Sequence, residues 1–375
     1  MHGNFEVDQC GLKAMCMSVQ KTVKVLLAAI MLALVPNTGA AATSDPANAS
    51  EEKEFNPAEL AMEHVLDAHE WHLADYSGHS VSIPLPIILW DNGLKVFMSS
   101  AFDHGHSVVE SGGSHYVIEH ETIYKTDAGG TLTYDEAGHP TNEKPLDFSI
   151  TKNVASMFLS VLLLLGIFIG AARSYSGANV PRGIASFMEP LIVFVRDDIA
   201  KNNIGEAKYR KFLPYLLTVF FFIWINNLIG LLPIPPGGGA NVTGNIAVTM
   251  VLAIFTFILT NIYGNKDYWK HIFWMPGVPV AVKPLLAIVE FLGIFTKPFA
   301  LMIRLFANIT AGHIIILSLI SLIFIFETEW ASIASVPFVI FMSCIELLVA
   351  LLQAYIFTLL SALFIGLAVQ EHEHH

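Results

Sequence analysis

Six residues in the C-terminal third stand out because their side chains do not belong where the sequence puts them. Glu290, Arg304, His313 and Glu346 sit inside long apolar stretches, with Asn308 and Gln353 as polar companions. An ionisable group at the centre of a membrane helix costs about 2.5–3.5 kcal/mol on insertion scales, so such groups mark ion or proton pathways by default. Glu and His can accept and release protons, whereas Arg keeps its charge and has no proton to relay. Titratable groups on either side of a fixed positive charge could carry protons toward it from two sides without letting them pass. The same charges could alternatively be structural ion pairs holding helices together.

Spacing places these groups relative to one another. Asn308 follows Arg304 by four residues and Ala311 by seven, so all three share one helical face, with small Ala300 and Ala307 beside them. Such a thin face permits close approach by another helix. Gln353 follows Glu346 by seven, again on one face. If the two helices form an antiparallel hairpin, residues at equal depth have a constant sum of residue numbers. Arg304 with Gln353 gives 657 and His313 with Glu346 gives 659; both sums centre near residue 329, on the polar break Glu327-Thr-Glu329. The two pairs differ in depth by roughly 10–14 Å at ~1.5 Å rise per residue. His313 falls on the helix face opposite Arg304. Glu290, fourteen residues before Arg304, lies near the arginine's own face and roughly 21 Å away along the axis.

The elements that must carry these groups are membrane helices. Of 375 residues, 54% are hydrophobic and 14% charged. Residues 1–150 hold 7 Lys+Arg against 21 Asp+Glu, net −14, and residues 151–375 hold 13 against 11, net +2, which together give the chain's −12. No basic patch of the kind nucleic acid requires is present. The uncharged runs predict five membrane helices, at about 153–172, 212–232, 245–263, 284–326 and 331–370. The second and third are separated by the breaker run Pro233 to Gly239, and the last two form the long hairpin. Residues 183–204 interleave apolar residues with Arg196, Asp197, Asp198 and Lys201, as a helix lying on a membrane surface does. Seven Lys and Arg in 173–211 and four in 264–297, against none in 233–244, place those two loops and the C-terminus in the cytoplasm of a bacterial cell, under its inner membrane.

The front of the chain reads as a signal peptide over 1–42: Lys13, Lys21 and Lys24, the apolar run Val25 to Val35, then Thr38-Gly-Ala-Ala-Ala42. Cys10 and Cys16 would leave with it, so no disulfide framework is expected. Residues 43–150 would then be a periplasmic, acidic, mixed α/β or irregular segment. In it a helix over Glu59–Leu73, turns at Asn92-Gly93 and Ala128-Gly-Gly130, and a strand-like run from His115 to Tyr124 are expected. Its nine histidines (64, 69, 72, 79, 104, 106, 115, 120 and 139) follow no closed metal-ligand spacing, even at His104/His106, and read as solvated surface groups. No metal, cofactor or catalytic site is expected, and there is no G-x-x-x-x-G-K-[ST] nucleotide loop. The tail Glu371-His-Glu-His-His375 reads as a solvated end. An all-α polytopic membrane protein with an N-terminal exported segment follows.

The run Lys297-Pro-Phe-Ala-Leu-Met-Ile-Arg-Leu-Phe-Ala-Asn-Ile-Thr-Ala-Gly-His313, with Leu352-Gln-Ala-Tyr-Ile-Phe357 and Asn226-Asn-Leu-Ile-Gly-Leu-Leu-Pro233, closely resembles subunit a of F-type ATP synthases over roughly 151–370. The long acidic extension resembles the Bacteroidetes-like branch. The resemblance implies a non-catalytic stator subunit against a rotating ring of c subunits, held by b-type peripheral stalk subunits, passing H⁺ through two offset half-channels. By resemblance Arg304 is the essential arginine facing the ring carboxylate, Asn308 and Gln353 flank it, and Glu290 lines the cytoplasmic half-channel. His313 and Glu346 stand exchanged relative to the common bacterial pattern, and Gly230 stands where many relatives carry Asp. An ion-coupled secondary transporter is the competing function, although the sequence shows no inverted repeat. Whether H⁺ or Na⁺ is the coupling ion is not fixed by this chain.

Overall fold

A computed structural model describes residues 67–76, 79–103, 105, 107–136, 138–174, 183–231, 240–275, 277–326 and 329–370. The expected signal segment 1–42 with Cys10 and Cys16, the helix start at 59–66, His64, His104 and His106, the breaker run 233–239, residues 327–328 and the tail 371–375 lie outside the described residues.

The N-terminal region is built of strands: β1 (Glu70–Tyr76), β2 (His79–Pro84), β3 (Pro86–Trp90), β4 (Leu94–Met98), β5 (Val109–Ser111), β6 (Ser114–Glu119), β7 (Thr122–Thr126) and β8 (Leu146–Asp147). They form a β1–β2 ribbon and two three-stranded sheets, β4-β3-β8 and β5-β6-β7, all antiparallel. The helix expected over Glu59–Leu73 is thereby corrected: from Glu70 onward this segment is β1, because its pairing with β2 outweighs local helical preference. The single run expected at His115–Tyr124 is a hairpin, β6 and β7, turning through His120 and Glu121 at φ 47° and 57°. That is the backbone of a tight two-residue turn without the glycine or asparagine that usually announces one. Asn92-Gly93 does turn β3 into β4, with φ 50° and 143°. Ile87, Leu89, Phe102, Val109, Tyr116 and Ile123 close a small core between the two sheets. The Tyr116 hydroxyl donates to Asp91 (2.9 Å), which Lys125 also pairs at 2.8 Å.

The rest of the chain is helical: α1 (Lys152–Ser174), α2 (Ile184–Phe194) continuing as a π-helical stretch Val195–Lys201 into the short α3 (Asn202–Ile204), α4 (Tyr209–Leu231), α5 (Ile246–Ile262), α6 (Lys266–Phe273), α7 (Lys283–Phe326) and α8 (Glu329–Val369). Among the described residues four helices (α1, α4, α7, α8) are long and apolar enough to cross a membrane; α5 and α6, which meet at 102°, reach that length only if counted together as one broken span. Each shows why it sits where it does. On α1 the buried residues Val154, Met157, Val161, Leu164, Phe168 and Ala171 recur every three or four positions, a one-sided stripe. Most of α4 is buried, with Phe220, Phe221, Phe222 and Ile223 inside on successive positions, so this helix is the centre around which the others stand. The α2–α3 segment buries Met188, Ile192, Val195, Ile199 and Ile204 while Asp197 pairs with both Arg196 and Lys201 on its other side.

The last helices bury little. Only about a tenth of α7's apolar window and a sixth of α8's lie inside. They are antiparallel to each other, and α8 runs antiparallel to α4 in a fixed register. Lys208 Nζ donates to the Val369 carbonyl (2.7 Å) and Asn227 Nδ2 to that of Ala350 (3.2 Å), contacts whose residue numbers both total 577. Asn265 closes the same end of α8 by donating from its backbone to Ala368 and from its side chain to Gln370. These contacts satisfy carbonyls that a helix terminus otherwise leaves open, and the lysine also complements the negative end of the helix dipole.

Candidate functional site

The hairpin of α7 and α8 brings His313 and Glu346 together. His313 Nδ1 lies 3.4 Å from Glu346 Oε1, with side chains 15% and 5% exposed. A second feature fixes the carboxyl group: a Cβ on Gly312 would stand 2.7 Å from Glu346 Oε1 and 3.1 Å from its Cδ. Glycine in mid-helix costs about 1 kcal/mol relative to alanine, and here it makes the room the glutamate occupies. The carboxylate's other oxygen, Oε2, is buried and unpartnered among the described residues.

Arg304 faces the other way. It is exposed on α7, as are Asn308 and the alanines 300, 307 and 311, on one continuous strip. The flanking wall is apolar: Ile303 on α7 and Leu347, Leu348, Leu351 and Leu352 on α8 are all exposed. Arg304 forms no hydrogen bond or ion pair among the described residues. A permanent charge is thus presented, unpaired, by a thin helix face set in an apolar wall.

Gln353 is not joined to Arg304. The hairpin's contacts, His313 with Glu346 and Lys297 over the Phe364 ring (5.9 Å), have residue numbers totalling 659 and 661, which sets Gln353 level with Phe306 to Asn308. Gln353 is 4% exposed, turned inward beside fully buried Ala350 and Ala354, whose small side chains let α8 lie close to the central helices. The pairing with the arginine expected from the shared sum is thereby corrected: Gln353 is turned inward while Arg304 is exposed, and the two are offset in depth by two to four residues, about half a turn to one turn.

Glu290 is half-buried near the start of α7, about 21 Å below Arg304 at the helical rise. Between the two lies a small cavity of about 30 Å³, lined by Thr256, Thr260, Asn261, Tyr268 and Lys297 among apolar neighbours from α5 to α8. Its volume is enough for a water or two. Beside it, the hydroxyls of Tyr215, Thr256 and Ser361 are linked across three helices at 2.7 and 3.1 Å. Sequence reasoning missed this ladder, as it missed Gly312, because hydroxyls in apolar helices ordinarily bond their own backbone.

The strand region contributes one buried ionic group. His69 is 4% exposed, which corrects the expectation that its histidines are solvated. Its Nε2 meets Asp147 Oδ2 at 2.9 Å, its backbone N–H donates to Glu121 Oε2 at 3.0 Å, and Nδ1 lies 3.5 Å from that oxygen. Burial pulls the imidazolium down, but the two carboxylates outweigh it and lift His69 from 6.5 to about 9. Burial pushes Asp67 up; even so, its carboxylate accepts from the Asn153 N–H (3.0 Å) and the Thr151 hydroxyl (2.9 Å), fastening the strands to the first turn of α1. No group of three His, Cys, Asp or Glu able to hold a metal occurs among the described residues. The side chains of His72 and His79 lie outside the described residues.

A family model described as ATP synthase A chain matches residues 154–366, more than half of the chain. The chain belongs to that family. Curated relatives agree. An ATP synthase subunit a of Chloroherpeton thalassium is 48% identical over 243 residues, 61% of this chain and 69% of the relative. Subunit a 2 of Chlorobaculum tepidum is 49% identical over 238 residues, 61% and 66% of the two chains. Subunit a 2 of Prosthecochloris aestuarii is 42% identical over 307 residues, 78% of this chain and 92% of its own length. The strand region matches a separate model, a domain of unknown function, over residues 60–148. The subunit a match covers every helix that carries the six residues singled out by the sequence. It also covers Gly230, whose Cβ position lies 3.0 Å from the Ala240 carbonyl oxygen, so no acidic side chain fits there without movement.

Proposed function

We propose that this chain is the proton-conducting stator subunit of an F-type ATP synthase membrane sector, and that it holds no catalytic site of its own. The observation that carries the reading is Arg304: charged, unpaired and presented by a strip of alanines in an apolar wall. In lipid such a group is costly, ~2.5–3.5 kcal/mol at a helix centre; against a helix bearing a carboxylate it is stabilised by opposite charge. The rotating ring of c subunits supplies that carboxylate, and b-type peripheral stalk subunits hold the stator in place. In this reading residues 1–42 direct export, residues 43–150 lie in the periplasm, residues 151–370 form the membrane domain in the bacterial inner membrane, and the C-terminus is cytoplasmic.

Protons from the periplasmic side reach the ring past Glu346 and His313, whose 3.4 Å contact lets one proton be shared or exchanged between carboxyl and imidazole. The neutralised ring site turns through lipid and releases its proton toward Glu290, with Asn308 beside the arginine and Gln353 on the inner side of the hairpin. Arg304 favours the ionised ring carboxylate as it arrives and, having no proton to give, separates the two half-channels. The membrane potential contributes about 2.3 kcal/mol per charge per 100 mV. The test is Arg304→Ala in membranes carrying the whole complex. ATP-driven proton pumping is expected to vanish while assembly persists, with passive leak measured after the catalytic head is stripped. Normal pumping would refute the stator reading and leave the ion-coupled transporter as the alternative.

A further inference from the structure

The β4-β3-β8 sheet is apolar on both faces. Inward, Ile87 and Leu89 are fully buried in the core between the two sheets. Outward, Trp90, Leu94, Val96, Met98, Leu146 and Phe148 are 41–63% exposed, uncovered by any described element. The ladder sets them side by side: Val96 pairs with Ile88, and Trp90 lies between Leu94 and Leu146. An antiparallel sheet with one wet face alternates apolar and polar residues, whereas strands covered on both sides are apolar throughout. Charges in and beside these strands are turned off the outer face. Lys95 Nζ donates to the Ser111 and Gly112 carbonyls, Asp147 meets His69, and Asp91, next after β3, pairs with Lys125. A contiguous exposed apolar face of this kind marks a surface that something covers.

What it meets follows from where the sheet stands. The uncharged run of α1, Asn153 to Ala172, spans about 30 Å at ~1.5 Å per residue, the thickness of a bilayer's hydrocarbon core. Asn153 therefore marks one boundary of that core, and Ala155 and Leu159 lie ~3 and ~9 Å inside it along the helix. Trp71 and Leu85 pack with these two residues and Ala240. Leu85 immediately precedes β3 and is tied to Ser99, just after β4. The Ser99 N–H donates to the Leu85 carbonyl at 2.9 Å, and the Leu85 N–H to Ser99 Oγ at 3.0 Å. The Ile150 N–H, two residues ahead of α1, donates to the Pro86 carbonyl at 3.0 Å. The end of the sheet where Pro86 pairs with Met98 is thus held at the edge of the hydrocarbon. Leu94 is no more than ~13 Å farther along β4, at ~3.3 Å per strand residue. The headgroup layer adds about 5–8 Å on each side of the core, so a sheet leaning on the membrane keeps its whole outer face against lipid. Trp90 is a residue type that gathers in this layer. A second copy of the chain fits less well, because a stable protein interface takes about 20–30 residues a side and this face offers far fewer.

We propose that the outer face of the β4-β3-β8 sheet rests in the interfacial layer of the bilayer that α1 crosses, with its Met98 end deepest. The strand domain is then a monotopic foot on the lipid as well as a segment tethered to α1. This needs only that α1 crosses the membrane and does not depend on how protons move.

The experiment uses the whole complex in lipid vesicles, with Cys10, Cys16 and Cys344 replaced by serine. A spin label is placed at Leu94→Cys, Val96→Cys or Met98→Cys, and at Glu110→Cys, exposed on β5 of the other sheet, as reference. Collision with oxygen, which concentrates in lipid, is compared with collision with a water-soluble nickel chelate present on both sides of the membrane. The oxygen-to-nickel ratio is expected to be about fivefold higher or more at the β4 positions than at Glu110→Cys, rising from Leu94 to Met98. A bimane at Phe148→Cys, on a different strand, should lose about half its emission or more to lipids brominated along their acyl chains. Ratios equal to that at Glu110→Cys, or no quenching at Phe148→Cys, overturn the inference by placing the face in water. Collision suppressed with both reagents overturns it too, because a protein then covers the face: the leading residues of this chain, a second copy or another subunit.

Discussion

His69→Ala gives the sharpest reading of how the strand region is held to the membrane helices. The imidazolium is buried against Asp147 and Glu121, and its rise from 6.5 to about 9 is some 2.5 pH units. At ~1.36 kcal/mol per unit that is about 3 kcal/mol. The partners are 30% and 38% exposed, so water screens part of the attraction, and about 2–3 kcal/mol is the working figure. Because the folded pKa is raised, the contribution is complete below about pH 6.5 and is lost as pH climbs through about 9. Asp147 and Glu121 are lowered, burial notwithstanding, chiefly by hydrogen bonds to His69. Their share is therefore present above about pH 4–4.5 and fails as pH falls below it. Hydrogen exchange in the purified complex reads the result at named amides: Lys152 bonded to Ala68, Asn153 to Asp67, Phe148 to Ile88 and Ile150 to Pro86. At pH 6.5 the variant should exchange at these positions about 30- to 150-fold faster, on the scale of tenfold per 1.4 kcal/mol. After correction for intrinsic rates, wild-type protection should decline between pH 6.5 and 9 while the variant's stays level. His69→Gln, which keeps a hydrogen bond without the charge, should fall between the two and lack the pH step. Equal protection in wild type and variant, or an unaltered pH dependence, would refute the reasoning.

Two further outcomes follow from close approaches between helices. Gly312→Ala puts a methyl 2.7 Å from Glu346 Oε1 and must displace the carboxyl from His313; assembled complex with proton flow reduced at least several-fold is expected, and unchanged flow would show that the pair need not be in contact. Gly366→Ala drives its methyl into the Asn203 carbonyl oxygen, backbone that cannot rotate aside, so α8 must part from α3 and the yield of assembled complex should collapse on native gels.

Much of the helical framework is legible without coordinates, because membrane helices are marked by length and the absence of charge, which depend on residue type alone. The hairpin register is legible for the same reason: an antiparallel pair with a short turn has one free parameter, and the polar pair His313 and Glu346 with the break near 329 determines it. The alanine strip around Arg304 is local helical geometry and could be read directly.

What the sequence could not supply is anything that depends on a second element. Gln353 shares its depth approximately with Arg304, yet only packing of α8 on α4 turns it inward, since facing is set by which neighbour buries more apolar surface. Glu59–Leu73 carries helical preference, but β1 forms from Glu70 because β2 lies beside it to complete its hydrogen bonds. His69 is one histidine among nine until the Glu121 turn and β8 bring two carboxylates to it from 52 and 78 residues away, and burial then makes that charge pair matter. Composition and period thus determined which segments cross the membrane and which residues are out of place in it; tertiary structure decided which of those residues touch, because contact at a distance in sequence is paid for only by packing that the whole chain must complete together.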